Sequence, residues 1–293
     1  MKVEALATRI SNWGEGPVWW KGHLYYVDIE GHALVQYDPE KGSERVWNLD
    51  QQIGFALPCE SGRWIWGGEK GLFFLDLETG VSSPLVDPES DLPDNRFNDA
   101  AISPDGRLFA GTIAMNKISG NASLYRIDSD LDCSLVIPNV TNSNGIDWSP
   151  DGSICYYIDT PTKKIRKYAY DFETGELSNE QVVLNTEGLY TGSPDGMTAD
   201  AEGFLWVAFC HGGCVVKLDP ESGNELAKID LPAAETTSCC FGGAEGRDLF
   251  ITTGVNSKGQ AEHGGKVFII KNAGVGNPQI PFADNSETAP SML

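Results

Sequence analysis

The chain has 293 residues, 41% of them hydrophobic, and carries a formal net charge of −21 at pH 7. This acidic balance argues against nucleic acid as a partner and disfavours anionic lipid surfaces and polyphosphate substrates, because all of these would be repelled. The apolar runs fall short of the roughly 18 residues of a membrane-spanning helix. The start, MKVEALATRI, has no apolar stretch of the kind that a signal peptide contains.

The seven cysteines are odd in number and scattered along the chain. Cys210 with Cys214, and the adjacent Cys239 and Cys240, lack the paired spacing of a zinc-binding motif. Such a set fits reduced thiols in the cytosol better than a disulfide framework. We therefore expect a cytoplasmic protein whose cysteines are buried packing residues.

One sequence pattern is repeated six times along the chain. It consists of a short hydrophobic strand that starts at a turn, a second strand, and a turn rich in Asp or Gly. In chain order the copies are GHLYYVDIEGHALVQYDPEKG from Gly22, GRWIWGGEKGLFFLDLETG from Gly62, GRLFAGTIA…ASLYRID from Gly106, GSICYYIDTPTKKIRKYAYDFETG from Gly152, GFLWVAFCHGGCVVKLDPESG from Gly203 and RDLFITTG…GGKVFIIKN from Arg247. Their starts lie roughly 40 to 50 residues apart, which is the spacing of four-stranded propeller blades.

The repeated segments have the composition of packed strands. LYYVDI, LFAGTI, ICYYID and FLWVAF are rich in aromatic and β-branched residues, whereas no long stretch keeps a helical stripe free of Gly and Pro. A single sheet cannot bury both of its faces, so the copies must pack on one another around an axis. The sequence therefore predicts an all-β, six-bladed β-propeller. It would form a single domain over residues 1–293, whose N-terminal strand VEALAT completes the last blade.

A propeller binds ligands on its axis, so the residues just before each blade's first strand are the candidates for a site. These positions hold Glu15 before blade 1, Arg96, Asn98 and Asp99 before blade 3, Asn144 before blade 4, and Asp195 before blade 5. Their carboxylate and amide oxygens suit a hard divalent cation, Ca²⁺, Mg²⁺ or Mn²⁺, better than a zinc ion bound by thiolate or imidazole. Three protein ligands would leave coordination positions open for water and substrate.

Each candidate also has an ordinary structural interpretation. The common turn sequence SPDG occurs at Ser103, Ser149 and Ser193, but in the third copy Asp195 lies ahead of the turn that opens its blade. Asn144, followed by glycine, could simply occupy a left-handed turn. Spacing alone leaves these alternatives open.

Several longer motifs follow one another in a specific order. They are GEGPVW, RFND…SPDGRLFAGT, SNGIDWS, YYIDT, PDGM…DAEGFLWVA and TTSCCFGG, and they extend nearly from end to end. In these motifs the chain resembles the family of regucalcins (senescence marker proteins), gluconolactonases and luciferin-regenerating enzymes. The resemblance implies a six-bladed propeller with one divalent metal in its axial channel, and hydrolysis of sugar lactones.

The resemblance also implies a role for individual residues. Glu15, Asn144 and Asp195 would be the ligands of one divalent cation, Ca²⁺, Mn²⁺, Mg²⁺ or Zn²⁺, and Asp195 would also be the catalytic base. Arg96 and Asn98 would line the substrate pocket.

One segment departs from the family pattern. Mammalian regucalcins carry a longer loop and acidic residues after FAGT, and one acid contacts substrate; here the segment reads FAGTIAMNKISGNASLY, with Asn116 at the expected position of that acid. An amide in place of a carboxylate changes which substrate hydroxyls can donate to this position. We expect Asn116 to bind substrate with an altered sugar preference. Asp99 and Asp147 are less favoured as bases, and His211 is expected either in the channel or in a turn.

We therefore expect a cytoplasmic, divalent-metal-dependent lactonase that converts aldonolactones such as glucono-1,5-lactone into aldonic acids. Its partner would be a small-molecule sugar lactone, without nucleic acid or membrane, and it would be a monomer or weak homodimer. Three alternatives stay open: an organophosphate triesterase like diisopropylfluorophosphatase, a calcium-binding regulatory protein, and an interaction platform. Three ligands with at most two carboxylates would bind cytosolic calcium weakly, which favours an enzyme.

Overall fold

The computed structural model describes residues 1–255 and 263–284. In these ranges the chain forms 24 β-strands and one short 3₁₀-helix, Thr160–Thr162, and none of its helical turns has the length and hydropathy to cross a bilayer. The strands make six four-stranded antiparallel sheets, which are the blades of a six-bladed β-propeller. The predicted fold class is confirmed. The single-domain prediction for residues 1–293 also covers 256–262 and 285–293, which lie outside the described residues.

Five blades are made of consecutive strands. With the innermost strand given first, blade 1 is β2 (Gly14–Trp20), β3 (His23–Asp28), β4 (Ala33–Asp38) and β5 (Ser43–Asn48), and blade 2 is β6 (Ile53–Pro58), β7 (Trp64–Gly68), β8 (Gly71–Leu75) and β9 (Ser82–Val86). Blade 3 is β10 (Asn95–Ile102), β11 (Leu108–Ala114), β12 (Ala122–Ile127) and β13 (Cys133–Val140), and blade 4 is β14 (Ser143–Trp148), β15 (Ile154–Asp159), β16 (Lys164–Tyr170) and β17 (Leu177–Asn185). Blade 5 is β18 (Ser193–Ala199), β19 (Leu205–Cys210), β20 (Cys214–Leu218) and β21 (Glu225–Asp230).

Blade 6 combines the N-terminal strand with three strands from the last part of the chain. From the axis outwards it is β22 (Thr236–Gly242), β23 (Asp248–Thr253), β24 (Phe268–Ile270) and β1 (Val3–Ala5). β1 runs antiparallel to β24, with Val3 opposite Ile270 and Ala5 opposite Phe268. The prediction that the N-terminal strand completes the last blade is confirmed, and this pairing closes the ring.

The core is divided among the six interfaces between neighbouring blades, and each interface has its own cluster of buried apolar side chains. Strand β15 shows how the sequence supplies two of them. Cys155 and Tyr157 pack towards blade 3, whereas Tyr156 and Ile158 pack towards blade 5. Successive side chains of a strand point to opposite faces, so an inner blade strand must be apolar on both. This is why these segments read as continuous hydrophobic runs.

The chain after β24 crosses one end of the propeller. The Ala201 N–H of blade 5 donates to the Val275 carbonyl at 2.7 Å, and the Phe282 N–H donates to the Pro58 carbonyl of blade 2 at 2.8 Å. Phe282 is fully buried in the cluster between blades 2 and 3. Beside it Asp284 pairs with Arg63 at 2.8 Å. This C-terminal segment therefore ties together blades that are far apart in sequence.

The repeated sequence pattern corresponds to the second and third strands of each blade. The prediction that the candidate residues come just before each blade's first strand is therefore wrong. Glu15 lies on β2, Asn144 on β14 and Asp195 on β18, and these are the innermost strands themselves. Their sequences contain Gly, Pro and polar residues, which conceals them as strands.

Candidate active site and metal centre

Every innermost strand breaks its pairing with the second strand of its blade near the point where it starts. The register shifts fall at Glu15/Val18, Ile53/Phe55, Phe97/Asp99, Asn144/Ile146, Pro194/Met197 and Thr236/Ser238. A bulge of this kind leaves residues outside the ladder and redirects their side chains. All of the candidates on the inner strands lie at or beside such a bulge, so one repeated distortion brings them to the same level of the channel.

Glycines at the bulges allow the inner strands to approach closely. A Cβ atom at Gly145 would lie 2.7 Å from the Asp195 carbonyl oxygen, and one at Gly196 would overlap the Ser238 side chain. A larger residue at either position would fit only if the strands moved apart. Strands β14 and β18, which carry the candidate ligands Asn144 and Asp195, are thus held in direct contact where Gly145 meets Asp195.

The side chain of Asn144 has one satisfied end and one unsatisfied end. The Thr160 hydroxyl donates to the Pro194 carbonyl at 2.9 Å, so its oxygen accepts a hydrogen bond from Asn144 Nδ2 at 3.0 Å. This chain of bonds fixes the amide orientation and turns Oδ1 away from Thr160. Oδ1 is buried and has no donor among the described residues. A buried acceptor without a donor costs free energy unless a cation or water satisfies it.

Asp195 is 6% exposed and lies against Asn144. Burial, with the nearby Asp99 carboxylate, raises the pKa of Asp195 to about 8, while contacts from the Cys210 thiol and the Asn144 amide oppose the rise. The structure thus places a carboxyl group whose ionisation is penalised next to a carbonyl oxygen without a donor.

Glu15 approaches this pair from blade 1 and is 7% exposed. Burial and the carboxylates of Asp195 and Asp99 raise its pKa well above the ordinary value. The Gly16 N–H, which donates to Glu15 Oε2 at 2.9 Å, and the Arg96 guanidinium act in the opposite direction. Acidic side chains from separate blades therefore repel one another across the channel.

These residues fit a divalent cation. Glu15, Asn144 and Asp195 offer oxygen donors of the type that hard cations prefer, and a bound cation would offset both the carboxylate repulsion and the unsatisfied Asn144 Oδ1. The predicted ligand set is thus brought into one neighbourhood, and its role as ligand set stays a prediction.

Arg96 and Asn98 form a rigid polar unit beside this set. Arg96 Nη1 donates to Asn98 Oδ1 at 2.8 Å, and Arg96 Nε donates to Gln52 Oε1 at 3.1 Å. Asn98 Nδ2 in turn donates to Asn142 Oδ1 at 3.1 Å and to the Ser143 carbonyl at 2.8 Å. Burial lowers the pKa of Arg96 to about 10, which still leaves it charged near neutral pH. The unit spans blades 2 to 4 at the level of the candidate ligands.

Asn116 lies at the same end of blade 3, because β11 ends where β10 starts and Asn95 pairs with Ala114. Its side chain is exposed in the loop after β11. Asn116 Nδ2 donates to Asp94 Oδ2 at 3.1 Å, and its Oδ1 accepts from the Ile118 N–H at 3.0 Å. The structure therefore places Asn116 at the exposed rim of this end of blade 3, bonded to its own loop and to the segment that precedes β10.

The three SPDG sequences have two structural roles. Gly106 donates to the Ser103 carbonyl at 2.9 Å and Gly152 to the Ser149 carbonyl at 2.8 Å, so these copies are turns. The third copy lies in β18 and carries Asp195. The difference of phase predicted from the sequence is confirmed.

A cavity of about 750 Å³ occupies the axis beyond the candidate ligands. Its lining begins one or two residues further along the inner strands, at Gly16, Asp99 and Met197, and includes Asp147. Asp147 accepts from the Ala199 N–H at 2.7 Å and from Thr198 Oγ1 at 3.1 Å, so it ties blade 4 to blade 5. Because its carboxylate already accepts these hydrogen bonds, Asp147 is less suited than Asp195 to act as the base.

Sequence reasoning missed a cluster next to Asp195. Cys210, His211 and Glu235 bring a thiol, an imidazole nitrogen and a carboxylate oxygen within 4.8 Å of one another. His211 occupies the turn after β19, as one of its two predicted placements had it, and its Nδ1 lies 2.5 Å from Glu235 Oε2. The sequence signal that could have revealed this cluster was the position of Glu235 directly before the inner strand β22.

Comparisons with known proteins extend over most of the chain. The family model described as SMP-30/Gluconolactonase/LRE-like region matches residues 13–255. The "Putative sugar lactone lactonase YvrE" of Bacillus subtilis (strain 168) is 36% identical over 92% of this chain and 94% of its own length. Regucalcin of Danio rerio is 35% identical over 96% of this chain and 97% of its own length. The crystal structure of a calcium-binding protein, regucalcin, from Agrobacterium tumefaciens has a TM-score of 0.89 at 25% identity, covering 95% of this chain and 96% of that one.

Proposed function

This chain belongs to the SMP-30/gluconolactonase/LRE-like family, and we propose that it is a divalent-metal-dependent hydrolase of sugar lactones. The reaction would open aldonolactones such as glucono-1,5-lactone to aldonic acids. The observation that carries the proposal is the buried Asn144 Oδ1 without a donor, next to Asp195, which interacts with Glu15. The lactonase name of the Bacillus subtilis relative supports the substrate class.

A lactone is a cyclic ester, and its hydrolysis passes through a tetrahedral oxyanion. A divalent cation held by Glu15, Asn144 and Asp195 would polarise the lactone carbonyl and acidify water. Asp195 is the proposed base: it accepts the proton of the attacking water and returns it to the ring oxygen when the C–O bond breaks. Its raised pKa shows how poorly the buried site solvates the charged form.

The proposed substrate contacts follow from the rigid polar unit. Arg96 keeps its positive charge in a buried position and offers donors to sugar hydroxyls or to the product carboxylate. Asn98 is held in one orientation by Arg96 and Asn142, so it presents a fixed polar edge. Asn116 at the rim would contact the far end of the sugar.

The test is acid release from glucono-1,5-lactone, followed with a pH indicator on chelator-stripped protein. Mn²⁺, Mg²⁺, Ca²⁺ or Zn²⁺ is then added singly, and pentonolactones extend the substrate panel. We expect the rate to fall to the spontaneous level after stripping and to return with at least one cation. Spontaneous rates with every cation and every lactone would refute the proposal.

The same protein preparation distinguishes the alternatives. Hydrolysis of a fluorophosphate or a phosphate triester without lactone hydrolysis would assign the organophosphate triesterase. Tight calcium binding without turnover of either substrate class would assign a calcium-binding regulatory protein.

A further inference from the structure

The cluster formed by Cys210, His211 and Glu235 lies beside Asp195, which the Cys210 thiol contacts, but it shares no residue with the proposed axial ligands. Cys210 ends β19, His211 follows in the turn, and Glu235 immediately precedes β22 of the next blade. Cys210 and Glu235 are 6% and 7% exposed, whereas the His211 side chain is 66% exposed. The cluster thus has a buried floor and one side that opens to solvent.

Backbone contacts hold the three residues in place before any ligand binds. Cys210 pairs with Ser193 in blade 5 and forms a bridge with Glu235, so it connects two blades. The Glu235 carbonyl accepts from the Gly254 N–H at 2.8 Å. His211 has a φ of 62°, the left-handed turn conformation that His32 (φ 51°) and Lys163 (φ 55°) also adopt between the second and third strands of their blades.

The ligand atoms converge on one oxygen. Glu235 Oε2 lies 2.5 Å from His211 Nδ1 and accepts a hydrogen bond from Cys210 Sγ at 3.5 Å. All three ligand atoms lie within 4.8 Å of one another, which is close enough for a single ion to contact each of them. Because two blades fix the arrangement, little conformational entropy is lost when an ion binds.

The chemistry of this donor set differs from that of the axial set. Sulfur, imidazole nitrogen and carboxylate oxygen together are typical ligands of zinc and of other borderline divalent cations. Glu15, Asn144 and Asp195 supply oxygen alone. We propose that Cys210, His211 and Glu235 bind a thiophilic divalent cation such as Zn²⁺, with solvent at the open fourth position. On binding, the thiol releases its proton to solvent, and no electron is transferred.

Cobalt substitution tests the site without using activity. Stripped protein is kept reduced with a phosphine and titrated with Co²⁺ while its near-ultraviolet absorption is recorded. A thiolate-to-cobalt charge-transfer band should appear, rise to saturation and disappear on competition with Zn²⁺. The oxygen ligands of the axial site cannot produce this band. Its absence from the wild-type protein would overturn the proposal.

Variants identify the residue that produces the charge-transfer band. Cys210→Ser should abolish it, whereas Cys214→Ser, which removes another buried thiol four residues along the same hairpin, should retain it. Glu15→Gln, which alters the axial set, should also retain it, so failure of the lactonase proposal and failure of this one are distinguishable. A band that persists in folded Cys210→Ser would refute the assignment.

His211→Asn provides a test that does not disturb the core. Asn tolerates the left-handed conformation and the position is exposed, so the variant should fold normally. Loss of one ligand should weaken Co²⁺ and Zn²⁺ binding by roughly tenfold or more. Unchanged affinity would show that the imidazole is not a ligand and would overturn the three-residue site.

Discussion

Asn144 and Asp195 show how a residue's surroundings decide what it does. By type alone, Asn144 before Gly145 reads as a left-handed turn, and Asp195 in SPDG reads as a turn residue. In the structure Asn144 Nδ2 is held by Thr160, which leaves Oδ1 buried and without a donor, and Asp195 lies on an inner strand. Their oxygens are costly to bury unless something positively charged or hydrogen-bonding satisfies them.

Replacement of Asp195 tests the centre of the proposed site. Asp195→Ala should reduce lactone hydrolysis to the spontaneous rate and weaken divalent cation binding by more than roughly tenfold, because a ligand and the proposed base are both lost. Lactone assays at saturating cation and calorimetric titration measure the two effects. Asp195→Asn is the matched control for packing and should show the same loss of turnover. Near-normal turnover in Asp195→Ala would rule out the mechanism.

Replacement of Arg96 separates substrate binding from metal binding. Arg96→Ala should lower kcat/KM by roughly 10- to 100-fold, about 1.4 to 2.8 kcal/mol, while cation affinity stays near wild type. Arg96→Lys should recover little, since Lys cannot bond Gln52 and Asn98 with the same fixed geometry. Loss of cation binding in either variant would mean that Arg96 supports the metal centre instead.

At the scale of the element, the innermost strands carry the site through their bulges. The same register break occurs near the start of each, and glycine at or beside it permits close contact in several blades. Continuous apolar runs and β-propensity identify β15 or β19 readily, because their side chains are apolar on both faces. They fail for β14 and β18, whose residues face a polar axis.

Gly145→Ala tests the contact between β14 and β18. The added methyl group would lie 2.7 Å from the Asp195 carbonyl oxygen and 2.9 Å from Met197 Cγ, so the strands must shift. We expect a loss of about 1–3 kcal/mol in unfolding free energy, together with weaker cation binding. Chemical denaturation and calorimetry measure the two quantities.

Gly274→Ala is the control for Gly145→Ala, since its methyl group would first meet Phe241 Cζ at 3.2 Å, away from the candidate ligands. It should leave cation affinity unchanged. Equal effects of the two variants on cation affinity would contradict a specific role for the strand contact.

At the scale of the whole molecule, two non-local connections hold the ring. β1 completes blade 6, and the C-terminal segment crosses from blade 5 to blade 2. A propeller has no single core, so its stability depends on each interface between blades and on these closures. Phe282 belongs to such an interface although it lies far along the chain from its partners.

Phe282→Ala tests this closure. The buried ring fills space between blades 2 and 3, and its removal should cost about 3–5 kcal/mol of unfolding free energy. Cation affinity should be unaffected in the folded variant, since the C-terminal segment lines the axial cavity beyond the candidate ligands and not the ligands themselves. Ile280→Ala, at a position 36% exposed in the same segment, should change stability by less than about 1 kcal/mol. A similarly small effect for Phe282→Ala would show that the segment is not part of the core.

The sequence by itself determined the six-bladed propeller. Its repeat length, strand composition and turn chemistry are local properties, and they recur in each of the six copies. It also determined the family, through motifs that follow one another along the chain. Residue type and spacing left open which polar residues meet, and the set Glu15, Asn144 and Asp195 was predicted only through the family resemblance. The tertiary structure decided that these residues, from three blades, lie together. The same holds for the pairing of Cys210 and His211 with Glu235. Contacts across blades depend on register and bulges, and these are set by packing around the axis.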